Sequence, residues 1–421
     1  MSDLDRLCAD LADRLDQELA DVDERLRASY PGDRGIRQPV HTVYVPADRF
    51  DAGIVAAWGK QALAALDEHG GTSAELARAV GIDATLVEDV ADRVRAKLAR
   101  EPIEDLRIDL EDGYGDRPDD EEDDATVSAA RALRACLDGA GPRPAYYGVR
   151  FKSFEAPTRR RGLRTLGRFV QELGDLGDGF VVTLPKVTAV EQVTAMVAAC
   201  EALEAELGVG ELRFEIQVET PQSILGADGT ALVARMIQAA QGRCTGLHYG
   251  TYDYSASCGI AAAHQSMEHP AADHAKAVMQ VAAAGTGVFC SDGSTNVVPV
   301  GSTPEVHAAW ALHARLVRRS LERGFYQGWD LHPAQLPTRF LATYAFYREG
   351  LPAAAARLSA YVGTSAGSGF LDEPATAAAL AGFVLRGVEC GAVDAAEVHE
   401  LIGVDTAGLA RLARRRLAEQ E

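Results

Sequence analysis

From residue 106 onward, short apolar runs rich in β-branched and aromatic residues alternate with longer amphipathic segments. Short apolar runs bounded by Gly, Pro or Asp are typical of buried strands, and apolar residues every three to four positions are typical of helices. A further run at 41–46 brings the number of predicted strands to eight. The other predicted strands are 106–112, 146–151, 180–187, 214–220, 245–253, 286–294 and 325–333. Eight strands alternating with helices predict an α/β fold, the (β/α)₈ TIM barrel, with its site at the carboxyl ends of the strands.

Helical segments flank and interrupt the predicted barrel, which we expect to span residues 38–335. Residues 1–37 place leucines at helical spacing between acids and arginines, which predicts a surface helix and not a targeting peptide. A helical insertion is predicted after the first strand, at about 53–100, with caps at Thr72-Ser73 and Asp83. Residues 336–421 predict a C-terminal helical lid, interrupted by a Gly/Ser-rich hinge or mobile loop at 363–369.

Composition and charge limit the class of partner. The chain has 421 residues, of which 47% are apolar and 25% charged, as in an ordinary soluble globular protein. A formal net charge of −20 argues against nucleic acid or an anionic membrane surface as a partner, because a polyanion would be repelled. No run approaches the roughly 18 apolar residues of a membrane helix. Small anionic molecules remain compatible, since a local basic pocket can dominate at short range.

The cysteines predict a reducing environment. They are odd in number and contain no C-x-x-C pair. We therefore expect free thiols and a cytoplasmic protein. The seven are Cys8, Cys136, Cys200, Cys244, Cys258, Cys290 and Cys390.

Two carboxylates, Glu219 and Asp253, each close a predicted strand. They lie 34 residues apart, about one strand, one crossover helix and the next strand of a parallel sheet, so we expect them to be neighbours in space. An oxygen-rich pair without Cys or His suits a hard cation such as Mg²⁺, with Mn²⁺ as an alternative. The competing interpretation is that one of them caps the following helix.

Arg150 ends the predicted strand YYGVR. A guanidinium among apolar neighbours needs an acidic partner or an anionic ligand, and Glu111 or Asp112 on the preceding strand would supply the partner. Arg150 is thus either a carboxylate clamp that also stabilises an enolate oxygen, or one half of a structural salt bridge.

Further polar residues fall at the same predicted strand ends. Asp109 and Lys186 are candidate substrate-binding residues, and Lys186 is also open to a Schiff-base interpretation. His332, before a proline, is expected to shape the exit from the last strand. A basic cluster follows Arg150 and predicts either a phosphate or coenzyme A site or a solvated helix face. Its members are Lys152, Arg159, Arg160, Arg161, Arg164 and Arg168.

Six short motifs together resemble the HpcH/HpaI aldolase and citrate lyase β-subunit superfamily. The resemblance implies a Mg²⁺-dependent barrel that makes or cleaves a carbon–carbon bond next to a carbonyl, through an enolate. It also implies that Glu219 and Asp253 hold the metal and that Arg150 binds the oxo acid. The motifs are IDLEDG (108–113), GVRF (148–151), LPKV (184–187), QVET (217–220), YGTYDYSASCG (249–259) and LHPAQL (331–336).

Two branches of that superfamily differ in their proton-transfer residue. The hydroxy-oxo-acid aldolase branch has a histidine base just after the second-strand acid, where this chain has Asp112. The citrate lyase and malyl-CoA lyase branch has a lid aspartate, and FLDEP (370–374) offers Asp372, either as general acid/base or as a helix N-cap before Pro374. The resemblance assigns catalysis to Arg150, Asp372, Glu111 and Asp112.

The expected function is therefore a Mg²⁺-dependent carbon–carbon lyase or aldolase acting on a small oxo acid or an acyl-CoA, with coenzyme A as part of the substrate in the second case. A metal-dependent hydroxy-oxo-acid aldolase without coenzyme A and a non-catalytic metabolite-binding barrel are the alternatives. A homo-oligomer is expected, in which Asp372 covers its own or a neighbouring subunit's site.

Overall fold

Eight parallel strands form the centre of the computed structural model, which describes residues 2–363 and 373–414. Their order in the sheet is β7-β6-β5-β4-β3-β2-β1-β8, and a parallel bridge between Ser291 and Gln327 joins the two edges. The prediction of a (β/α)₈ barrel is confirmed. The strands are β1 His41–Pro46, β2 Asp105–Asp109, β3 Tyr146–Arg150, β4 Val182–Leu184, β5 Phe214–Val218, β6 Cys244–Tyr249, β7 Phe289–Ser291 and β8 Gly328–Asp330.

Helices surround this barrel and also form the N-terminal segment, the insertion after β1 and the described part of the C-terminal region. Three of them fill the insertion after β1, where Thr72 and Asp83 cap the helices as predicted. The helices of the described residues are α1 Asp3–Ser29, α2 Ile54–His69, α3 Ser73–Val80, α4 Ala84–Arg100, α5 Asp119–Asp138, α6 Arg159–Leu173, α7 Val190–Leu207, α8 Pro221–Ile224, α9 Leu232–Ala239, α10 Thr251–Ser257, α11 Pro270–Ala283, α12 Thr303–Glu322, α13 Leu336–Tyr361, α14 Pro374–Cys390, α15 Ala395–Ile402 and α16 Thr406–Ala413. In the described part of the chain, none is long and apolar enough to cross a membrane.

The predicted strand at 245–253 is too long, and this changes the setting of Asp253. Strand β6 ends at Tyr249, and the chain turns at Gly250 into helix α10. Asp253 therefore lies in the first turn of a helix and not at the end of a strand. The β-branched and aromatic residues of GTYD favour a strand locally, but the packing of the loop at the barrel mouth overrides that propensity.

Successive residues of each strand point to opposite sides of the barrel wall. The outward side chains are apolar and fully buried against the helices, as for Val43, Ile108 and Leu247. The alternating, inward positions carry polar side chains instead. These buried polar residues include Thr42, Asp105, Arg107, Asp109, Arg150, Thr183, Glu215, Gln217, His248 and Ser291.

A buried network fills the barrel at the amino ends of the strands. The Trp329 Nε1–H donates to Nδ1 of His248 at 3.1 Å, so the histidine proton resides on Nε2, 3.0 Å from a Glu215 oxygen. Arg107 donates to both oxygens of the same Glu215, at 3.1 and 2.8 Å, and pairs with Asp105. These side chains satisfy one another in the interior, and TIM barrels carry their ligand sites at the opposite, carboxyl end.

Candidate active site

The carboxyl ends of β2, β3, β4 and β5 bring the predicted site residues to one mouth. Asp109 and Arg150 are the last residues of β2 and β3, and the two are register partners in the sheet. Glu219 follows β5 directly, and Lys186 lies two residues after β4. All four side chains belong to the loops or strand ends where TIM barrels carry their sites.

Arg150 is fixed by a bidentate ion pair with Asp109. Its Nε donates to Oδ1 at 2.7 Å and its Nη2 to Oδ2 at 2.5 Å, while Nη1 lies 3.4 Å from a Glu111 oxygen. The guanidinium carbon sits 4.7 Å from the centre of the Tyr44 ring. The partner expected from the sequence was Glu111 or Asp112. Asp109 takes that place because parallel pairing sets it directly beside Arg150, and Glu111 is a second, more distant partner.

Asp109 has no carboxylate oxygen left for direct contact with a substrate. Besides Arg150, its Oδ1 accepts the N–H of Glu111 at 3.0 Å and its Oδ2 the N–H of Gly113 at 2.8 Å. Its contacts make it a residue that orients Arg150 and the loop after β2. Burial opposes the charge of Arg150, but Asp109 and then Glu111 outweigh it, so the pKa of Arg150 lies well above its ordinary value.

Glu219 is a buried carboxylate in a negative environment. Its Oε1 accepts the main-chain N–H of Lys186 at 2.8 Å, and its Oε2 accepts Nε2–H of Gln217 at 3.1 Å. Burial, and then the charges of Glu111 and Asp253, raise the pKa of Glu219 to about 8. A carboxylate held by two hydrogen bonds yet crowded by like charges is one that a cation would stabilise.

Lys186 spans two acidic side chains on the loop after β2. Its Nζ lies 2.6 Å from Oε1 of Glu111 and 2.7 Å from Oδ1 of Asp112. Burial would lower the pKa of Lys186, but the two carboxylates raise it above its ordinary value. The ammonium therefore stays protonated, which favours carboxylate binding over the Schiff-base interpretation, since a Schiff base needs a neutral amine.

The pKa values of the remaining carboxylates of the mouth shift in different directions. Burial and the neighbouring Asp112 raise the pKa of Glu111, and burial likewise raises the pKa of Asp253. Burial also opposes the charge of Asp112, but the Lys186 ammonium outweighs it and lowers the pKa of Asp112. The mouth thus holds more acids than bases. The acids are Asp109, Glu111, Asp112, Glu219 and Asp253, and the bases are Arg150 and Lys186.

The carboxylates at the mouth suit a hard divalent cation that takes only a few of its ligands from the protein. Within residues 2–363 and 373–414, no group of three or more His, Cys, Asp or Glu side chains is placed to hold a metal ion. Mg²⁺ is commonly bound by one or two carboxylates and completes its shell with water and substrate oxygens. Glu219 and Asp253 provide such a pair, because they are close enough for the charge of Asp253 to raise the pKa of Glu219.

Gly250 leaves room beside Glu219. A Cβ at position 250 would lie 2.7 Å from Oε2 of Glu219 and closer still to its Cβ. Contacts this short would displace the carboxylate, so the glycine is part of the geometry that places Glu219 at the mouth.

The basic cluster after Arg150 is largely neutralised by helix α5. Arg161, Arg164 and Arg168 all pair with Asp123, and Arg161 and Lys152 also approach Glu122, at 3.1 and 3.4 Å. These acids belong to the acidic first turns of α5. The phosphate or coenzyme A interpretation of this cluster gains no support from these contacts.

One predicted residue belongs to the part of the chain that the structure does not describe, one lies after β8, and two residues of the mouth were missed. Asp372, with the hinge around it, is outside the described residues, and His332 caps the short 3₁₀ helix after β8 as expected. Gln217 and Tyr44 were missed, although both point into the barrel beside Arg150. Gln217 is two residues before Glu219, and strand periodicity places such residues on the same side.

Comparison with known proteins identifies a family whose description assigns no activity, and solved structures with a similar fold. A family model described as "Domain of unknown function (DUF6986)" matches residues 19–417. No curated protein matches the chain.

The similar solved structures include the following three. A citrate lyase from Burkholderia xenovorans LB400 is 19% identical over 86% of this chain and 96% of its own, with a TM-score of 0.56. A Haloferax volcanii malate synthase in a magnesium/glyoxylate complex is 13% identical over 91% and 99%, with a TM-score of 0.46. An HpcH/HpaI aldolase/citrate lyase family protein from Burkholderia cenocepacia J2315 is 15% identical over 75% and 93%, with a TM-score of 0.39. The first likeness shows that the two chains share the barrel fold.

Proposed function

Because the chain belongs to the DUF6986 family, whose description assigns no reaction, we propose its function from the barrel mouth. It is a divalent-cation-dependent carbon–carbon lyase or aldolase that acts through an enolate of an oxo acid or an acyl-CoA. The observation that carries this proposal is the buried Glu219, crowded by Glu111 and Asp253 at the same mouth as the fixed guanidinium of Arg150. Such a mouth suits a cation together with an anionic substrate.

Glu219 and Asp253 would hold the cation, Mg²⁺ or Mn²⁺. When bound, such an ion acts as a Lewis acid that polarises a carbonyl oxygen. The two hydrogen bonds from Lys186 and Gln217 fix the direction of the Glu219 carboxylate before any ligand arrives. Prior orientation of this kind lowers the cost of binding.

Arg150 would bind the carboxylate of the substrate. Asp109 uses Nε and Nη2, whereas Nη1 has only long contacts, 3.5 Å to Gln217 and 3.4 Å to Glu111. The Nη1 donors are thus the ones available for an oxo-acid oxygen. Tyr44 supports the guanidinium from the barrel interior by a cation–π contact.

The positive charge of the Lys186 ammonium would offset part of the negative charge at the mouth. Its ion pairs with Glu111 and Asp112 would hold the loop after β2 in place. Its raised pKa makes it a permanent cation and not a proton acceptor. We assign proton transfer at the carbon next to the carbonyl to Asp372, on the ground of the FLDEP motif, with Glu111 and Asp112 as the other carboxylates near the reacting centre.

An aldolase without coenzyme A is the second candidate, and the basic cluster favours it. Arg161, Arg164 and Arg168 are paired with Asp123, so these guanidinium groups would have to leave an acidic partner before they met a phosphate. A free oxo acid needs no such exchange, because Arg150 and the cation alone would neutralise it.

Turnover of a substrate panel tests the proposal. The purified protein is incubated with 4-hydroxy-2-oxo acids and, separately, with malyl-CoA-type thioesters, in Mg²⁺ or in EDTA, and the released oxo acid or aldehyde is quantified. The proposal expects cleavage of one class in Mg²⁺ and none in EDTA. Ligand-induced thermal stabilisation without turnover of either class would instead favour a metabolite-binding barrel.

A further inference from the structure

Helix α1 stands apart from the barrel. Its 27 residues include no buried side chain, and the helix begins with a capping box at Ser2 that defines its start independently of tertiary contacts. Six of its leucines are between 40% and 67% exposed. A helix with this many exposed leucines has an apolar face that the subunit does not cover.

Five of these six leucines and the partly buried Val22 form one straight stripe, and Leu7 lies to one side of it. At about 100° per residue, six side chains lie within about 40° of a single line along the helix: Leu4, Leu11, Leu15, Leu19, Val22 and Leu26. The apolar positions from Leu4 to Leu26 span two 11-residue periods, which keeps the stripe on one face over its length. The stripe is also symmetric about Leu15, with leucines 4 and 11 residues away on either side.

A stripe symmetric about its centre can pack on a second copy of itself through a two-fold axis at Leu15. Such an isologous contact is the commonest kind in homo-oligomers. The five half-exposed leucines of the stripe and Val22 present on the order of 500 Å² of apolar surface, so two helices would bury on the order of 1,000 Å², near the lower limit for a specific interface.

The charges of α1 select an antiparallel arrangement. Its first turn is acidic, with Asp3 and Asp5, its last turn carries Arg27, and Arg25 comes just before that turn. An antiparallel pair sets each acidic end beside the other copy's basic end, whereas a parallel pair would set acid against acid and arginine against arginine. We propose that α1 pairs antiparallel with α1 of a second copy of this chain, with Leu15 at the two-fold axis.

A lipid surface fits this helix poorly. The polar face of α1 carries nine acidic residues against four arginines, and helices that bind membrane surfaces carry Lys and Arg there. The formal net charge of −20 adds repulsion from anionic lipid. The same acids would not oppose the antiparallel pair at its ends, where each acidic first turn meets arginines.

The proposal is tested by measuring the mass of the assembly that the full chain forms in solution. Sedimentation equilibrium is measured for the wild type, for Leu15→Glu, and for Gln17→Glu, which adds the same charge on the opposite face of α1. We expect Leu15→Glu to weaken self-association at least tenfold and to halve the assembly mass, with Gln17→Glu unchanged and equal helicity by circular dichroism in all three. A monomeric wild type, with or without binding to phosphatidylserine vesicles, or a Leu15→Glu protein of unchanged mass, overturns the proposal.

Cysteine cross-linking tests the direction of the pair. In the antiparallel arrangement, Cys8 would lie beside the second copy's Val22, and the two copies of Cys8 would be about 20 Å apart. In a Cys258→Ser background, which removes the other exposed thiol, Val22→Cys is expected to give a disulfide-linked dimer on mild oxidation, and the background protein none. Efficient linkage through Cys8 alone, or no linkage in Val22→Cys, contradicts the antiparallel pair.

Discussion

Lys186 donates its main-chain N–H to Oε1 of Glu219 at 2.8 Å, from a left-handed backbone conformation with φ of 52°. The ammonium of the same residue reaches the loop after β2 through Glu111 and Asp112. One residue thus orients the candidate metal ligand and places a positive charge among the acids that crowd it. A non-glycine residue at this φ is uncommon, and such conformations cluster at functional sites.

Replacement of Lys186 by methionine should lower kcat/KM by about 10- to 100-fold, the usual worth of a charge-assisted hydrogen bond. Met meets the same backbone constraint at φ of 52°, so the change isolates the ammonium. Lys60→Met, which removes an exposed lysine from α2, is the control and should keep full activity. Borohydride treatment with pyruvate should leave the mass of the wild type unchanged, and a reduced adduct on Lys186 would support the Schiff-base interpretation instead.

Variants of the Arg150–Asp109 pair should show that stability and activity depend on Arg150 for different reasons. Arg150→Met leaves Asp109 buried without its cation, which should cost about 3–5 kcal/mol of the free energy of unfolding. The double variant Arg150→Met/Asp109→Asn should recover most of that loss, because neither charge remains, while its turnover stays absent. Urea unfolding and kcat/KM are measured on the same preparations. Recovery of turnover in the double variant would show that Arg150 is structural only.

Gly250→Ala should weaken cation binding. Its methyl group would lie within 2.7 Å of Glu219 Oε2, so the carboxylate must move, and overpacking of this kind costs about 1–3 kcal/mol of stability. Gly210→Ala is the matched control, since no atom lies within 4 Å of a Cβ there. Titration calorimetry with Mn²⁺ should show weaker binding for Gly250→Ala and wild-type binding for Gly210→Ala. Equal affinities would place the cation away from Glu219.

Glu104, directly before β2 at the amino end of the barrel, should contribute a defined pH dependence to stability. Burial raises its pKa, but Lys97 and Arg37 outweigh burial and lower it to about 2. In the unfolded chain a glutamate has a pKa of about 4.3, so the folded state binds fewer protons in this range, and the contribution is present above about pH 4.3 and lost as the pH falls through about 2.

Glu104→Gln should therefore cost about 3 kcal/mol at pH 7 and less with each step from pH 5 towards pH 3.5. Chemical unfolding of both proteins across that range measures the difference. A difference independent of pH would mean that the charge of Glu104 contributes nothing.

The sequence was sufficient for the barrel and for the position of Glu219 at its mouth, because strand periodicity is local and Glu219 directly follows an apolar strand. It was not sufficient for the partner of Arg150: Asp109 reaches it through the register of β2 with β3, which depends on pairing between distant segments. The pairing of Arg161 with Asp123 depends in the same way on the packing of α6 against α5. Asp253 was placed on a strand because its neighbours favour one locally, whereas the mouth of the barrel requires a turn.

The proposed function is tested most directly by exchange of carbon-bound protons with D₂O. The methyl signals of pyruvate and of acetyl-CoA are followed by ¹H NMR with wild type, Glu219→Gln and Gly210→Ala, in Mg²⁺ or in EDTA. Enolate formation at the Glu219–Asp253 pair predicts exchange of one of these methyl groups with wild type and Gly210→Ala in Mg²⁺, and none in EDTA or with Glu219→Gln. Exchange that persists at the wild-type rate in EDTA and in Glu219→Gln would contradict it.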